Sequence, residues 1–396
     1  MQFRDLRRQY EYLKDEIDKE ILDVINSASF ISGKQVEKLE KQLAEFVGVN
    51  HCITCGNGTD ALNLALMAWN IGAGDAVFVP DFTFFASGET VAYNGAMPIF
   101  VDVCEDTYNI NVDSLRKAIE KVIEEGRLVP KVIVAVDLFG QPADHIELRN
   151  IANQYGMKIL EDGAQGFGGR IDKQMACSFG DIATTSFFPA KPLGCYGDGG
   201  AIFTDNDEWA HVIRSLSVHG KGNGKYDNIR IGVNSRLDTI QAAILLTKLE
   251  AFKKYEMDKV NFAADYYSKQ LEDVVIIPKI RSNYYSSWAQ YTIQLPNKKI
   301  RDGLQAVLKQ NEIPSMVYYL KPMHKQEAFK GGKMLAVDCP STERLCETVL
   351  SLPIHPYITM EEQNKVIMHI KKYLETVQGE KVILDLCICI SAEKAE

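Results

Sequence analysis

The chain predicts an α/β protein, with a large domain built on a largely parallel sheet and a smaller α+β domain after it. Two observations carry this. Strand-like apolar runs alternate with helical patterns up to about residue 218, as expected when parallel strands are joined through covering helices. A second, proline-free helical pattern runs from a cap at Asn234 or Ser235 to about Leu271, long enough to serve as a spine between two domains. The expected boundary falls at residue 248, giving a large domain 1–248 and a small domain 249–396.

The elements follow in order. Cys52-Ile53-Thr54-Cys55 reads as a short apolar strand that leads through Gly56-Asn57-Gly58 into a helix. In that helix Leu62, Ala65, Leu66 and Trp69 fall at i, i+3, i+4 and i+7. Strands are predicted over 76–80, 98–101, 131–137, 158–160 and 200–204, and helices over 88–94, 112–124, 145–155 and 207–217. Past the spine, 288–294 reads as a strand, 301–310 as a helix and 360–376 as a last helix. The apolar run 382–390 leaves two readings open, an added strand or an exposed tail, and is too short to span a membrane as a helix.

The composition of 396 residues, 46% hydrophobic and 24% charged, suits a globular protein with a sizeable core. A net charge of −9 argues against a nucleic-acid partner, which normally leaves a basic footprint. The charged start Met1-Gln2-Phe3-Arg4-Asp5-Leu6-Arg7-Arg8 has no signal-peptide pattern, so a cytoplasmic location without a membrane partner is expected. Nine scattered cysteines suit reduced thiols. Cys52-x-x-Cys55 has no second ligand pair elsewhere in the chain, and no metal is expected.

Three stretches carry chemistry. Lys191 lies in Ser186-Phe187-Phe188-Pro189-Ala190-Lys191-Pro192-Leu193-Gly194-Cys195-Tyr196-Gly197-Asp198-Gly199-Gly200, between two prolines that exclude a helix interior or a central strand. A shaped loop can hold the amine out of bulk water, lowering its pKa and making it nucleophilic toward carbonyls. Upstream, Met157-Lys158-Ile159-Leu160-Glu161-Asp162 reads as a strand ending in a carboxylate, followed by Gly163-Ala164-Gln165. Such an aspartate can cap a turn, or hold the pyridine nitrogen of pyridoxal 5'-phosphate (PLP) protonated so that the ring acts as an electron sink. Gly58 and Thr59 open the first helix, where free amides and the helix dipole favour a phosphate. The loop matches neither a nucleotide-binding P-loop nor a dinucleotide turn.

Taken with Gly232-Val233-Asn234-Ser235-Arg236-Leu237-Asp238-Thr239-Ile240-Gln241-Ala242-Ala243, the runs Asn57-Gly58-Thr59-Asp60-Ala61-Leu62, Glu161-Asp162-Gly163-Ala164-Gln165 and Ser186 to Lys191 resemble the DegT/StrS-type sugar-nucleotide aminotransferases. The resemblance spans about residues 1 to 376. It implies the PLP fold type I architecture, with a seven-stranded sheet. The run from Lys191 to Gly200 resembles the branch that aminates C3 of UDP-2-acetamido-2-deoxy-3-oxo-glucuronate with L-glutamate as donor, for surface polysaccharide such as O-antigen lipopolysaccharide.

The resemblance further implies that Lys191 joins the cofactor as a Schiff base and shuttles the proton. Asp162 would pair with the pyridine nitrogen, Gln165 would lie near the ring hydroxyl, and Gly58, Thr59 and Ser186 would hold the phosphate. Phe84 would stack on the ring or else be an ordinary core aromatic. Asn234 would reach the phosphate of a neighbouring subunit and Arg236 the nucleotide-sugar there, which implies a homodimer with shared sites. Tyr318, Tyr319 and His324 fall in the substrate segment; Tyr319 matches the family, whereas the glucuronate branch often has histidine where this chain has Tyr318.

Three readings stay open. The loop 219–230, with Lys221, Lys225 and Arg230, is a solvated loop or a lip for a diphosphate or uronate. Amination could fall at C4 or on another nucleotide sugar. A PLP-binding regulator without transaminase activity is the alternative of another class, disfavoured by Lys191, Asp162 and Gln165 occurring together.

Overall fold

Strands buried on both faces read as continuous apolar runs, and here they build the centre of the molecule. The computed structural model describes residues 1–224, 226–330 and 338–392, with side chains as far as 377. Its strands are β1 (His51–Cys55), β2 (Asp75–Pro80), β3 (Met97–Val101), β4 (Val129–Val136), β5 (Lys158–Asp162), β6 (Arg170–Ile171), β7 (Gln174–Met175), β8 (Ile182–Ser186), β9 (Gly200–Thr204), β10 (Tyr284–Tyr285), β11 (Tyr291–Gln294) and β12 (Val349–Leu352). The helices are α1 (Leu6–Ser27), α2 (Lys34–Val47), α3 (Gly58–Ala68), α4 (Ala86–Tyr93), α5 (Val112–Glu125), α6 (His145–Tyr155), α7 (Asp207–Leu216), α8 (Thr239–Ala251), α9 (Met257–Leu271), α10 (Lys298–Gln310), α11 (Pro340–Thr348) and α12 (Met360–Ala392).

Seven strands form the central sheet in the order β1-β9-β8-β5-β4-β2-β3. All neighbours are parallel except β9, which runs antiparallel to β8 and β1. Successive side chains of a strand point to opposite faces. Thus Val132, Val134 and Val136 of β4 enter the core with Leu62 and Leu66 of α3, while Ile133 and Ala135 join the core with Leu115 of α5 and Leu148 of α6. Both faces are covered, as the alternation of strand and helix predicts.

The smaller core is built from α9, α10, α12, β11 and β12 around Tyr267, Tyr291, Leu304, Leu350 and Ile370. The spine begins later than expected. Ser235 is buried and its Oγ donates to Asp60 Oδ2 at 2.6 Å, so neither it nor Asn234 caps the helix; Asp238 holds the cap position. The spine is also divided by one π-helical turn, 252–256, and the change of core falls there, just past the expected boundary at 248.

Other departures are local. Only 291–294 of the predicted strand 288–294 is extended in a ladder. Helices α1 and α2 and strand β8 lie outside the sequence expectations. The β8 sequence, Ile182-Ala183-Thr184-Thr185-Ser186, reads as polar, yet Thr184 and Thr185 are buried with their hydroxyls on the carbonyls of Glu161 and Gly163. Along 382–390 the backbone is helical, part of α12, which sets aside the added strand. Among the described residues no helix is long and apolar enough to cross a membrane, and the seven cysteines with described side chains are free thiols.

Candidate active site

The sheet delivers Asp162 to the carboxyl end of β5, the edge where ligands of open α/β sheets collect. Its carboxylate is buried and shared: Ser87 Oγ, in the first turn of α4, donates to Oδ2 at 2.8 Å, and the amide of Ala164 donates to Oδ1 at 3.2 Å. Thr83 Oγ1 in turn lies 3.1 Å from Ser87 Oγ. A buried carboxylate held by a hydroxyl and an amide keeps a fixed direction. Ser87 was not anticipated from sequence, where a lone serine after an aromatic pair carries no signal.

Lys191 follows β8 in a loop folded back on itself. Its amide donates to Phe188 O at 2.8 Å and that of Cys195 to Phe187 O at 2.8 Å. A Cβ on Gly194 would lie 2.5 Å from Pro189 O, so this position admits only glycine. Lys191 is half-buried, and no side-chain hydrogen bond or ion pair engages its ammonium among the described residues. Burial pushes the amine below the usual lysine range; the Asp162 carboxylate opposes that and the Arg4 guanidinium adds to it. A depressed amine beside a fixed carboxylate can attack a carbonyl and carry a proton.

The third part lies against Ser186 at the end of β8. Asn57 caps α3 through a bond from the Asp60 amide to Oδ1 at 2.8 Å, and the amides of Gly58 and Thr59 precede the first bonds within the helix. A Cβ on Gly58 would lie 2.7 Å from Ser186 Cβ, so the bare backbone is what lets this helix end meet the end of β8. Two hydroxyls, those of Thr59 and Ser186, flank the amides of a helix start: a cradle for an anion.

The remaining predicted residues are distributed more widely. Gln165 joins two elements, its Oε1 accepting from the Phe139 amide at 2.9 Å and its Nε2 donating to Tyr319 Oη at 3.1 Å. Burial raises the Tyr319 hydroxyl pKa, and its ring meets Phe82 edge-on at 5.7 Å. Tyr318 is half-buried against Phe3 at 6.3 Å. Phe84 is 55% exposed beside buried Phe82, so it is not a core aromatic and keeps a free ring face. Asn234 and Arg236 alternate with inward-facing Ser235 along extended chain, so both point outward, with Arg236 Nη2 donating to Asn234 Oδ1 at 2.5 Å.

His324 is held between two carboxylates. Asp81 Oδ2 lies 2.6 Å from Nδ1, Asp81 Oδ1 accepts from the His324 amide at 2.8 Å, and Glu343 Oε1 lies 3.4 Å from Nε2. Both ring nitrogens therefore face carboxylates, and the bond to Asp81 raises the imidazole pKa. The ring ties the end of β2 to α11. In the loop 219–230, Lys225 lies outside the described residues; Lys221 is exposed and, with His219, Asn228 and Arg230, lines an open cleft of about 580 Å³.

Comparison with known proteins decides what this arrangement is. Residues 11–371 match the model of the DegT/DnrJ/EryC1/StrS aminotransferase family. The chain belongs to this family. It is 43% identical, over 90% of its length and 96% of the relative's, to a UDP-2-acetamido-2-deoxy-3-oxo-D-glucuronate aminotransferase of Pseudomonas aeruginosa. A DegT/DnrJ/EryC1/StrS aminotransferase from Brucella abortus superposes with a TM-score of 0.92 at 48% identity, covering 94% of this chain and 99% of that one. NtdA of Bacillus subtilis, solved with bound cofactor PMP, superposes with a TM-score of 0.82 at 30% identity, covering 92% and 82%. The chain is a PLP-dependent aminotransferase.

Behind Asp162 the aminotransferase carries a buried cluster that sequence reasoning missed. Asp137 Oδ1 accepts from the Ala143 amide at 2.8 Å and lies 2.8 Å from His145 Nε2, while Oδ2 faces Glu161 with no other partner. Glu161 accepts from the amides of Cys177, Phe179 and Gly180 and retains room for one further donor. A proton on Asp137, donated to Glu161, satisfies both carboxyls, and burial accordingly pushes Asp137 up to about 8. A carboxyl raised in the folded state contributes stability that is complete below its unfolded pKa and lost as pH rises through about 8. Asp137→Asn keeps the donor and cannot titrate, whereas Glu161, also raised by burial, remains in both proteins. The melting temperature of the variant is therefore expected to gain on that of the natural chain as pH climbs from about 5 toward 9. Parallel melting curves across that range would show that Asp137 is ionised throughout.

Proposed function

We propose that this aminotransferase moves an amino group from L-glutamate to C3 of UDP-2-acetamido-2-deoxy-3-oxo-glucuronate, leaving 2-oxoglutarate and the 3-amino sugar nucleotide. The observation that carries the chemistry is the convergence of a fixed carboxylate at Asp162 and a depressed, unpaired amine at Lys191 on one helix-end cradle. The substrate follows from the extent of similarity to the Pseudomonas enzyme.

The residues present fit PLP. Gly58, Thr59 and Ser186 would hold its phosphate, Asp162 its pyridine nitrogen, Phe84 a ring face, and Gln165 would lie near its ring hydroxyl. When bound, PLP supplies an electron sink for the carbanion left by proton removal. Lys191 takes the α proton of glutamate and delivers it to the opposite end of the same three-atom system. With the sugar it runs these transfers in reverse, so one positioned amine serves both halves. Tyr319, held by Gln165, and Tyr318 would meet the substrate.

Mass spectrometry of products from glutamate and a panel of keto-sugar nucleotides tests the reading. The expected result is amination of the 3-keto uronate ahead of every 4-keto sugar; preference for a 4-keto substrate would move the reaction to C4, and no amination of any member would favour a regulatory role.

A homodimer with shared sites completes the proposal. Asn234 and Arg236 point outward, and neighbouring Ile231 is 91% exposed, an apolar side chain suited to burial against a second copy. Mixing Lys191→Ala with Arg236→Ala protein should restore activity in heterodimers, because one pocket of each then holds both intact residues. If mass analysis confirmed exchange and the mixture stayed inactive, Arg236 would act within its own chain.

A further inference from the structure

The loop that carries Lys191 is held from beneath by two cations, Lys248 buried and Arg4 half-buried, that the reaction as described does not use. Arg4 Nη2 donates to Pro192 O at 3.1 Å, and Lys248 Nζ donates to Gly194 O. Lys248 is 1% exposed and lies 4.8 Å from the ring centre of Tyr196, whose amide is fixed by Gln241 Oε1 at 2.9 Å. The counter-charge is Glu256, buried in the π-helical turn, where it accepts from Gln9 Nε2 at 2.8 Å and Tyr357 Oη at 2.7 Å and attracts both Arg4 and Lys248. Two cations and one carboxylate leave a net positive charge on this side of the loop.

We propose that Arg4 and Lys248 are positioning residues for transamination: they clamp the carbonyls that follow Lys191, and Arg4 sets a fixed positive charge beside its amine. The proposal rests on Lys191 being the cofactor lysine. A buried cation costs desolvation, which is why Lys248 falls to about 8 and Arg4 to about 10. A surface lysine tying down a surface loop would carry no such cost. The charged groups that act on Lys191 are Asp162, which favours its protonation, and Arg4, which opposes it. Arg4 thus keeps the released amine unprotonated until it takes the α proton and then favours its release, while the two carbonyl bonds keep it in reach.

The holoenzyme tests this. In Arg4→Met the midpoint of its pH-dependent visible absorption should rise by about half a pH unit or more, since a neighbouring positive charge has gone. At the same time kcat should fall by about fivefold or more with KM for glutamate held within about twofold. Arg4→Lys, which keeps the charge, should return the midpoint to within about 0.2 of a pH unit. A folded Arg4→Met protein with unchanged midpoint and kcat overturns the proposal, as does Arg4→Lys behaving like Arg4→Met in the titration. Should Arg4→Met fail to fold, Lys248→Met is held to the kcat and KM criterion, since it removes a carbonyl clamp without a charge acting on Lys191, and a folded Lys248→Met protein with unchanged kcat overturns the proposal. Borohydride fixation and peptide mapping of each sample separate the two levels: an adduct on another lysine defeats the reading of Lys191 itself, and an adduct on Lys191 with unmoved midpoint and rate defeats the clamp alone.

Discussion

Lys191→Ala is expected to lose turnover by at least about a thousandfold while remaining folded and able to hold PLP. Positioned proton transfer alone contributes about a hundredfold to ten-thousandfold, and the same side chain also forms the covalent link. The binding contacts of the proposal, the helix-end cradle at Gly58 and Thr59, Ser186, and the Asp162 carboxylate, do not involve the amine. Lys191 accepts no structural load through its side chain either, because the loop is shaped by backbone bonds and by Gly194. Absorbance of the dialysed protein reports cofactor retention, and single-turnover analysis with glutamate reports chemistry. A variant within about tenfold of the natural rate would remove Lys191 from the proton path.

Asp162→Asn is expected to fold, bind PLP and lose about a hundredfold in rate. An amide cannot hold a ring nitrogen protonated, and loss of one partner of a buried charged pair is worth about 3 kcal/mol. The fold should survive: Asn retains an oxygen for Ser87 or for the Ala164 amide, and β5 is fixed by its pairing with β4 and β8. The effect should appear in kcat more than in KM for glutamate, because the interaction strengthens as negative charge develops in the ring. A loss below about threefold would make Asp162 a structural carboxylate. Ser87→Ala provides the gradation, with the carboxylate intact but less fixed in direction; its loss should be smaller than that of Asp162→Asn.

Much of this was legible because it is local. The strands of the central sheet announce themselves as apolar runs, and their partition between two cores follows from the two-residue period of β4. Lys191 between two prolines, Asp162 at the end of an apolar run, and Gly58-Thr59 at the head of an amphipathic pattern are likewise features of contiguous residues. Where local signals misled, a distant partner had intervened. Ser235 reads as a helix cap, yet Asp60, far earlier in the chain, takes its hydroxyl and the helix begins at Thr239.

By itself the sequence determined the α/β class and the family, and it singled out Lys191 and Asp162 as the candidates for catalysis, because backbone period, proline restriction and helix-end chemistry act over a few neighbouring residues. Only the tertiary structure decided that Ser87 aims Asp162, that Asp137 meets His145 and the Ala143 amide, and that Arg4 and Lys248 reach the carbonyls after Lys191. Each of these is a buried polar group whose desolvation is offset by a partner brought from another element. Only folding selects such partners, since nothing in the spacing along the chain says which donors and acceptors will share a dry interior.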